Sequence, residues 1–459
     1  MTTYSIEHLA EWDKEFVWHP FTQMQEYRQE EPLIIERGEG SYLIDVMGRR
    51  YLDGISSLWV TVHGHNHPVL NSALKKQIDQ IAHSTLLGLA NVPSILLAKK
   101  LVEISPPGLN KVFYSDAGAT AVEIALKIAY QYWQLKDNGR YKSKTKFISL
   151  GEAYHGDTIG SVSVGGIELF HSIFKPLLFN VYHIPTPYCY RCPLSQATDG
   201  CQQECLAVAE QVISEHAHEV AALIIEPLVQ GAAGMIVQPP GFLRRLREIC
   251  TRYNVLLICD EVAVGFGRTG TMFASEQEGV SPDLMCVAKG LTGGYLPLAA
   301  TLTTDEVYSA FLGKHSENKT FFHGHTYTGN PLGCAVALAS LRLFEENNLL
   351  ASVQEKAAFL AQELKRFNEL PHVGEIRQKG MMIGIELVQD KATKTPYPPE
   401  INIGHQVILE ARRRGLVIRP LGNVIVLMPI LAMSLDELKQ VVDITYDSIR
   451  VVTEVSRKC

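Results

Sequence analysis

Short apolar runs, several ending on a residue suited to chemistry, alternate with helical periodicity along most of this chain, and that alternation is the signature of a parallel α/β sheet. Val255–Cys259 is brief and β-branched enough to be a buried parallel strand, and Asp260 follows at its carboxyl end. A second run, Leu284–Ala288, delivers Lys289 to the Gly-rich loop LTGG. Lys111–Tyr114, Lys146–Leu150, Ala221–Ile225 and Leu298–Thr303 read as further strands of the same sheet. Helices are predicted over Leu70–Ile81, Ser94–Ile104, Ala121–Trp133 and Gly333–Glu345. Toward the amino terminus, Leu33–Glu36 and Ser41–Asp45 read as strands joined by the turn RGEG. Met382–Leu387, Leu416–Arg419 and Val424–Met428 give the carboxyl-terminal part an α+β character. A chain of 459 residues exceeds one simple core, so a large and a small domain are expected.

With 46% apolar and 20% charged residues, the composition is that of a water-soluble globular protein. A net charge of -7 supplies no basic stripe for nucleic acid, and no apolar run reaches membrane-spanning length. The opening MTTYSIEHLAEWDKEF carries acidic residues and no apolar signal core, and nine cysteines partly within core strands suit a reducing compartment, so a cytoplasmic location is expected.

Two polar clusters raise the question of metal. His63, His65 and His67 alternate in the loop Gly54–Pro68 without a neighbouring carboxylate, which favours loop histidines over ligands. Cys189, Cys192, Cys201 and Cys205 fall in PYCYRCPLSQATDGCQQEC with approximately structural-zinc spacing, and a surface loop of thiols is the competing reading. No metal is assigned to the site.

The candidate chemistry lies at strand ends. SDAGATA (Ser115–Ala121) joins a strand to a helix start through small residues, a geometry that suits a phosphate. Tyr154, in EAYHGDT, is placed to stack on a flat ring, and Glu226 stands at the mouth of another strand. A lysine amine and an aspartate at the mouths of two strands suit a carbonyl cofactor with a cationic ring.

DEVAVGFGRTG, the KG of AKGLTGG, SDAGATAVEIALK, YHGDT, EPLVQGAAGM and HGHTYTGNP together resemble the class III aminotransferases of pyridoxal phosphate fold type I, over most of the chain from Trp18 to about Met428. Within that class WHPFTQM, SSLW, VHGHNHP and RPLGNVIVLMP are most similar to the biotin-pathway branch that makes 7,8-diaminononanoate from 8-amino-7-oxononanoate. The alternatives are another class III ω-amino acid aminotransferase, an aminomutase, or a non-catalytic protein of the same fold. The resemblance implies an α/β fold: a large domain (66–335) around a mainly parallel, seven-stranded-type sheet, and a smaller α+β domain built from both chain ends (1–65 and 336–459). It also implies pyridoxal 5'-phosphate as cofactor, small-molecule substrates and a homodimer.

Residue by residue, the resemblance makes Lys289 the amine that carries the cofactor and shuttles protons, and Asp260 the partner of its ring nitrogen. Gly118 and Ala119 would offer amides to the phosphate, Tyr154 and His155 would lie against the cofactor, and Thr326 would reach the phosphate from the neighbouring subunit. Phe21, Leu58, Trp59, Tyr154, Arg268, Lys289, Gly324 and Arg419 would meet the substrate, with Arg419 taking its terminal carboxylate bidentately. Members that use S-adenosylmethionine as donor usually read WHPYT and SSWW. Here Phe21 and Leu58 replace the tyrosine and the first tryptophan, and HSTLLG (His83–Gly88) and ISPPGL (Ile104–Leu109) look more like the lysine-using branch, which tips the expected donor toward lysine.

Overall fold

Seven strands form one sheet in the order Leu109–Ser115, Ala299–Thr304, Leu284–Val287, Leu256–Asp260, Val220–Ile225, Lys146–Leu150 and Tyr182–Ile184, in a computed structural model that describes residues 4–192, 194 and 203–455. Only Ala299–Thr304 runs antiparallel to its neighbours. Every residue of Val220–Ile225 and Leu256–Asp260 is buried, because helices cover both faces, and this is why these strands read as unbroken apolar runs. The register pairs Asp260 with Cys286 and Ile258 with Ile224. Asp260, Glu226, the Glu152–Thr158 loop and the Asp116–Gly118 turn all follow the carboxyl ends of parallel strands, so one edge of the sheet collects them.

The helix Gly118–Leu135 packs across this sheet, burying Ile124, Ala125, Ile128 and Trp133, and Trp133 Nε1 donates to the Ala221 carbonyl at 2.8 Å. Large apolar side chains buried this way contribute about 1.5–3 kcal/mol each. Pro331–Glu346, capped by Asn330, lies against the helices Pro68–Gln80 and Val92–Ile104. Both of those begin with proline in the first turn behind a capping side chain, His67 and Asn91 respectively.

Strands from the two chain ends share a second sheet: Ile35–Glu39, Tyr42–Asp45 and Arg50–Asp53 are completed by Leu416–Val417, which pairs in parallel with Leu52 and Asp53. The first hairpin turns later than RGEG predicts. Arg37, Gly38 and Glu39 remain paired with Ile44, Leu43 and Tyr42, and Gly40, at φ 56°, takes the turn. A third sheet orders Val373–Lys379, Met382–Asp390, Val424–Leu427 and Arg419–Leu421. No helix of the described residues is long and apolar enough to cross a membrane.

Candidate active site

A cavity of about 640 Å³ opens at the carboxyl ends of the parallel strands, lined among others by Trp59, Gly118, Tyr154, Glu226, Asp260 and Lys289. The backbone of Lys289 has φ 44°, a left-handed conformation that a lysine adopts only when its surroundings impose it. Here Gly290 lies so close to Phe266 that a Cβ would sit 2.9 Å from that ring's own Cβ, which fixes the chain after Val287. Lys289 Nζ lies 5.2 Å from the centre of the Trp59 ring. Burial lowers the pKa of the amine; Asp260 and Glu226 oppose that, and Arg268 adds to it.

Asp260, 4% exposed, bonds through Oδ2 to His155 Nδ1 at 2.8 Å and accepts the Val262 amide on Oδ1 at 3.1 Å. His155 is itself buried, and its Nε2 has no partner among the described residues. Glu226 accepts the amides of Gly231 at 2.9 Å and Tyr154 at 3.2 Å, and burial pushes its carboxyl up to about 7. Tyr154 donates its hydroxyl to Asp157 Oδ2 at 2.7 Å. Desolvation, and then that bond, hold the phenol protonated far above its ordinary pKa.

The cradle at the helix start is built by close packing. A Cβ at Gly118 would lie 2.5 Å from Val262 Cγ1, so the turn after Ser115 accepts only glycine against the cavity wall. The first-turn amides of Gly118–Leu135 have no acceptor within the helix and carry its positive dipole end. An amine, a buried carboxylate–imidazole pair, an aromatic wall and an amide-rich helix start fit a flat, anionic carbonyl cofactor.

The structure brings Lys289, Asp260, Tyr154, His155, Gly118, Ala119 and Trp59 into one lining. Arg419, Phe21 and Leu58 lie outside this lining; Arg419 is partly buried, which lowers its pKa. Its guanidinium lies 6.0 Å from the Phe21 ring, which meets Phe170 edge-on at 5.5 Å, and Phe170 meets Tyr154 at 6.3 Å. Phe21 and Leu58 remain about half exposed, at 57% and 49%.

Arg268, expected to meet the substrate, is held by backbone carbonyls in this chain. Only 1% exposed, it donates Nη1 to the Pro429 carbonyl and Nη2 to the Thr61 carbonyl, both at 2.8 Å, and it is absent from the cavity lining. Its Nε–H, also buried, has no partner among the described residues. Gly324 and Thr326 are likewise outside the lining: both are exposed on the loop 320–330, which His325 ties to Asp116 Oδ2 at 2.7 Å. Asp116, Asp157, Thr158 and Tyr295 line the cavity without having been singled out from sequence, and Glu226 was placed at its strand mouth without a role. Asp116, Asp157 and Thr158 lie inside motifs already recognised, and that adjacency was the available signal.

The three histidines diverge. His63 Nε2 bonds to Ser340 Oγ, His65 Nε2 to Asp53 Oδ2, and His67 Nδ1 accepts from the Val69 amide. Among the described residues no group of three or more His, Cys, Asp or Glu is placed to hold a metal; Cys201 lies outside the described residues.

The class-III aminotransferase family model matches residues 24–449. The adenosylmethionine-8-amino-7-oxononanoate aminotransferase of Geobacter sulfurreducens is 56% identical over 454 residues, 99% of this chain and 100% of the relative. That of Aquifex aeolicus is 57% identical over 436 residues, covering 95% of each. Among solved structures, the adenosylmethionine-8-amino-7-oxononanoate aminotransferase of Methanocaldococcus jannaschii superposes with a TM-score of 0.92 at 50% identity, covering 97% of this chain and 99% of that one. The ω-transaminase of Pseudomonas jessenii in complex with PMP also reaches 0.92, at 32% identity over 97% and 98% of the two chains.

Proposed function

Because the chain belongs to the class III aminotransferases, we propose that it aminates 8-amino-7-oxononanoate to 7,8-diaminononanoate, a step of biotin synthesis, with pyridoxal 5'-phosphate as cofactor. Shape does not choose the substrate, since the ω-transaminase matches the backbone as well as the Methanocaldococcus enzyme does. The observation that carries the reading is sequence identity of 56% along the full length of a relative named for that substrate.

When bound, the cofactor supplies an electrophilic carbonyl and an electron-withdrawing ring that stores the amino group between two half-reactions. Lys289 would hold it covalently, Asp260 would face its ring nitrogen, and the Gly118–Ala119 amides would take its phosphate. His155 Nδ1 orients the Asp260 carboxylate for that task. Lys289 Nζ, its pKa lowered by burial, takes and returns the proton at the carbon that carries the transferred amine. Trp59 beside that amine and Tyr154 in the same lining exclude water, and Arg419 takes the acceptor's carboxylate. Two half-reactions at one site give ping-pong kinetics.

A homodimer is part of the proposal. The exposed loop with Thr326 is suited to complete the partner's phosphate site, and exposed Leu87, Phe322 and Tyr327 offer apolar surface for the contact. For the donor we propose S-adenosylmethionine, against the lysine expected from Phe21 and Leu58. The named relatives carry adenosylmethionine in their names, and Trp59, Phe21 and Phe170 still present aromatic faces for a sulfonium. Initial rates of diaminononanoate formation, with each donor at equal concentration, test both points. No product with any donor refutes the acceptor, and a clear preference for lysine refutes the donor.

A further inference from the structure

The segment Ser56–Trp59, which carries the Trp59 wall of the cavity, holds a conformation that its own residues do not favour. Ser56, Ser57 and Trp59 have φ of 51°, 61° and 66°, and no glycine is among them. Ser57, at φ 61° and ψ -74°, has the dihedrals of the rare, strained form of γ-turn. Such a backbone persists only where its surroundings over-determine it. One buried side chain does most of this. The Asp53 carboxylate, 0% exposed, accepts the Ser57 amide on both oxygens at 2.9 and 2.7 Å, the Ser57 hydroxyl at 3.0 Å and the Ile55 amide at 3.3 Å. His65 Nε2 completes the set at 2.9 Å on Oδ2. Ser56 Oγ donates to the Met428 carbonyl at 2.7 Å, and Arg268 grips Thr61 just beyond the turn.

Asp53 also has a fixed relation to the segment that bears Arg419. It pairs with Val417 in the strand that leads, two residues on, to Arg419, and the Gly54 amide donates to the Val417 carbonyl. The same strand end therefore sets both the turn bearing Leu58 and Trp59 and the start of the strand bearing Arg419. A long acceptor must span these two features, whereas neither Asp53 nor His65 lines the cavity around Lys289.

Building on the aminotransferase reading above, we infer that Asp53, braced by His65, is a positioning residue that fixes the Trp59 turn against Arg419 and thereby sets affinity for the acceptor. It acts on the substrate wall and not on the cofactor cradle. Replacing the carboxylate by an amide leaves one oxygen for the Ile55 and Ser57 amides but puts a donor where the Ser57 hydroxyl and His65 already donate. The turn loses half of its clamp with little change in volume.

The test is steady-state amination of 8-amino-7-oxononanoate by the holoenzyme, with melting temperature and the visible absorbance of bound cofactor recorded on each protein. Asp53→Asn is expected to raise the acceptor KM by about fivefold or more, with cofactor absorbance and affinity unchanged. His65→Ala is expected to raise it about threefold, and His65→Gln, which can return a donor to Asp53, to stay within about twofold of wild type. Wild-type KM in a folded Asp53→Asn overturns the inference. So does a parallel fall of kcat, cofactor retention and melting temperature at unchanged KM, the pattern of a merely structural acid. Should Asp53→Asn fail to fold, equal KM values in the two His65 variants overturn it. The wild-type arm alone decides the activity reading: a wild type without product sinks that reading and the inference with it.

Discussion

Asp260→Asn isolates the carboxylate from everything else it touches. The side chain is 4% exposed, one oxygen accepting from the Val262 amide at 3.1 Å and the other facing His155 Nδ1 at 2.8 Å. An asparagine can keep its carbonyl on Val262, which places its NH2 group toward His155. The imidazole must then accept at Nδ1 and carry its proton on Nε2, the atom with no partner among the described residues. The fold survives this exchange of neutral for charged atoms, but no anion remains to keep a ring nitrogen protonated. One charge-assisted hydrogen bond is worth about 1.5–3 kcal/mol, and at 1.36 kcal/mol per decade that is roughly ten- to 150-fold in rate. Cofactor should stay bound through Lys289 and the helix start, so the visible band persists while turnover falls. The assay is initial-rate amination with cofactor occupancy measured on the same sample. A loss below about twofold at full occupancy refutes the assignment, since a bond of this class cannot be worth less than that where it matters.

The remaining expectations are independent of that result. Lys289→Ala should abolish turnover and the cofactor band that borohydride bleaches; activity equal to wild type would remove Lys289 from the mechanism. Glu226→Gln should change how stability depends on pH in the cofactor-free protein. The folded carboxyl titrates near 7 and the unfolded one near 4.5, so the folded state binds the extra proton and stability falls as pH rises between those values, by roughly 3 kcal/mol at 1.36 kcal/mol per pH unit. Melting temperatures at pH 5 and pH 8 should therefore differ less in the variant, although Glu261, also raised to about 7 by burial, leaves part of the slope in place. Mixing inactive Lys289→Ala chains with chains weakened at Thr326 should restore some activity in mixed dimers, and well-formed mixed dimers that stay inactive argue against shared sites.

What the sequence displayed follows from how each feature is encoded. Val220–Ile225 is legible to within a residue because a strand buried on both faces is written as a continuous apolar run. Tyr182–Ile184 is not: it is a three-residue edge strand with one buried side chain, too short for any period to show. Asp260 and Lys289 stand out because each closes such a run. Asp53 does not, although it grips its neighbours more tightly than Asp260 does. Its role depends on positive φ angles at Ser56, Ser57 and Trp59, and those residues give no sign of them. Thr326 and Gly324 mark another boundary, since both are exposed and neither lines the cavity of this chain.

Arg268 shows what a local motif leaves unsaid, and its contacts have a chemical meaning. Within GFGRTG the family resemblance places an arginine against the substrate. Its partners are carbonyls 161 and 207 residues away in the chain, which no local pattern reports. Burying a guanidinium without a carboxylate in contact is unfavourable, and the desolvation lowers its pKa to about 10. At neutral pH it is still a cation, and that fixed charge contributes to lowering the Lys289 amine toward the neutral form a proton carrier needs. A substrate-binding arginine would lose this influence whenever a carboxylate arrived to neutralise it. One held by the Thr61 and Pro429 carbonyls keeps that charge fixed whatever occupies the cavity.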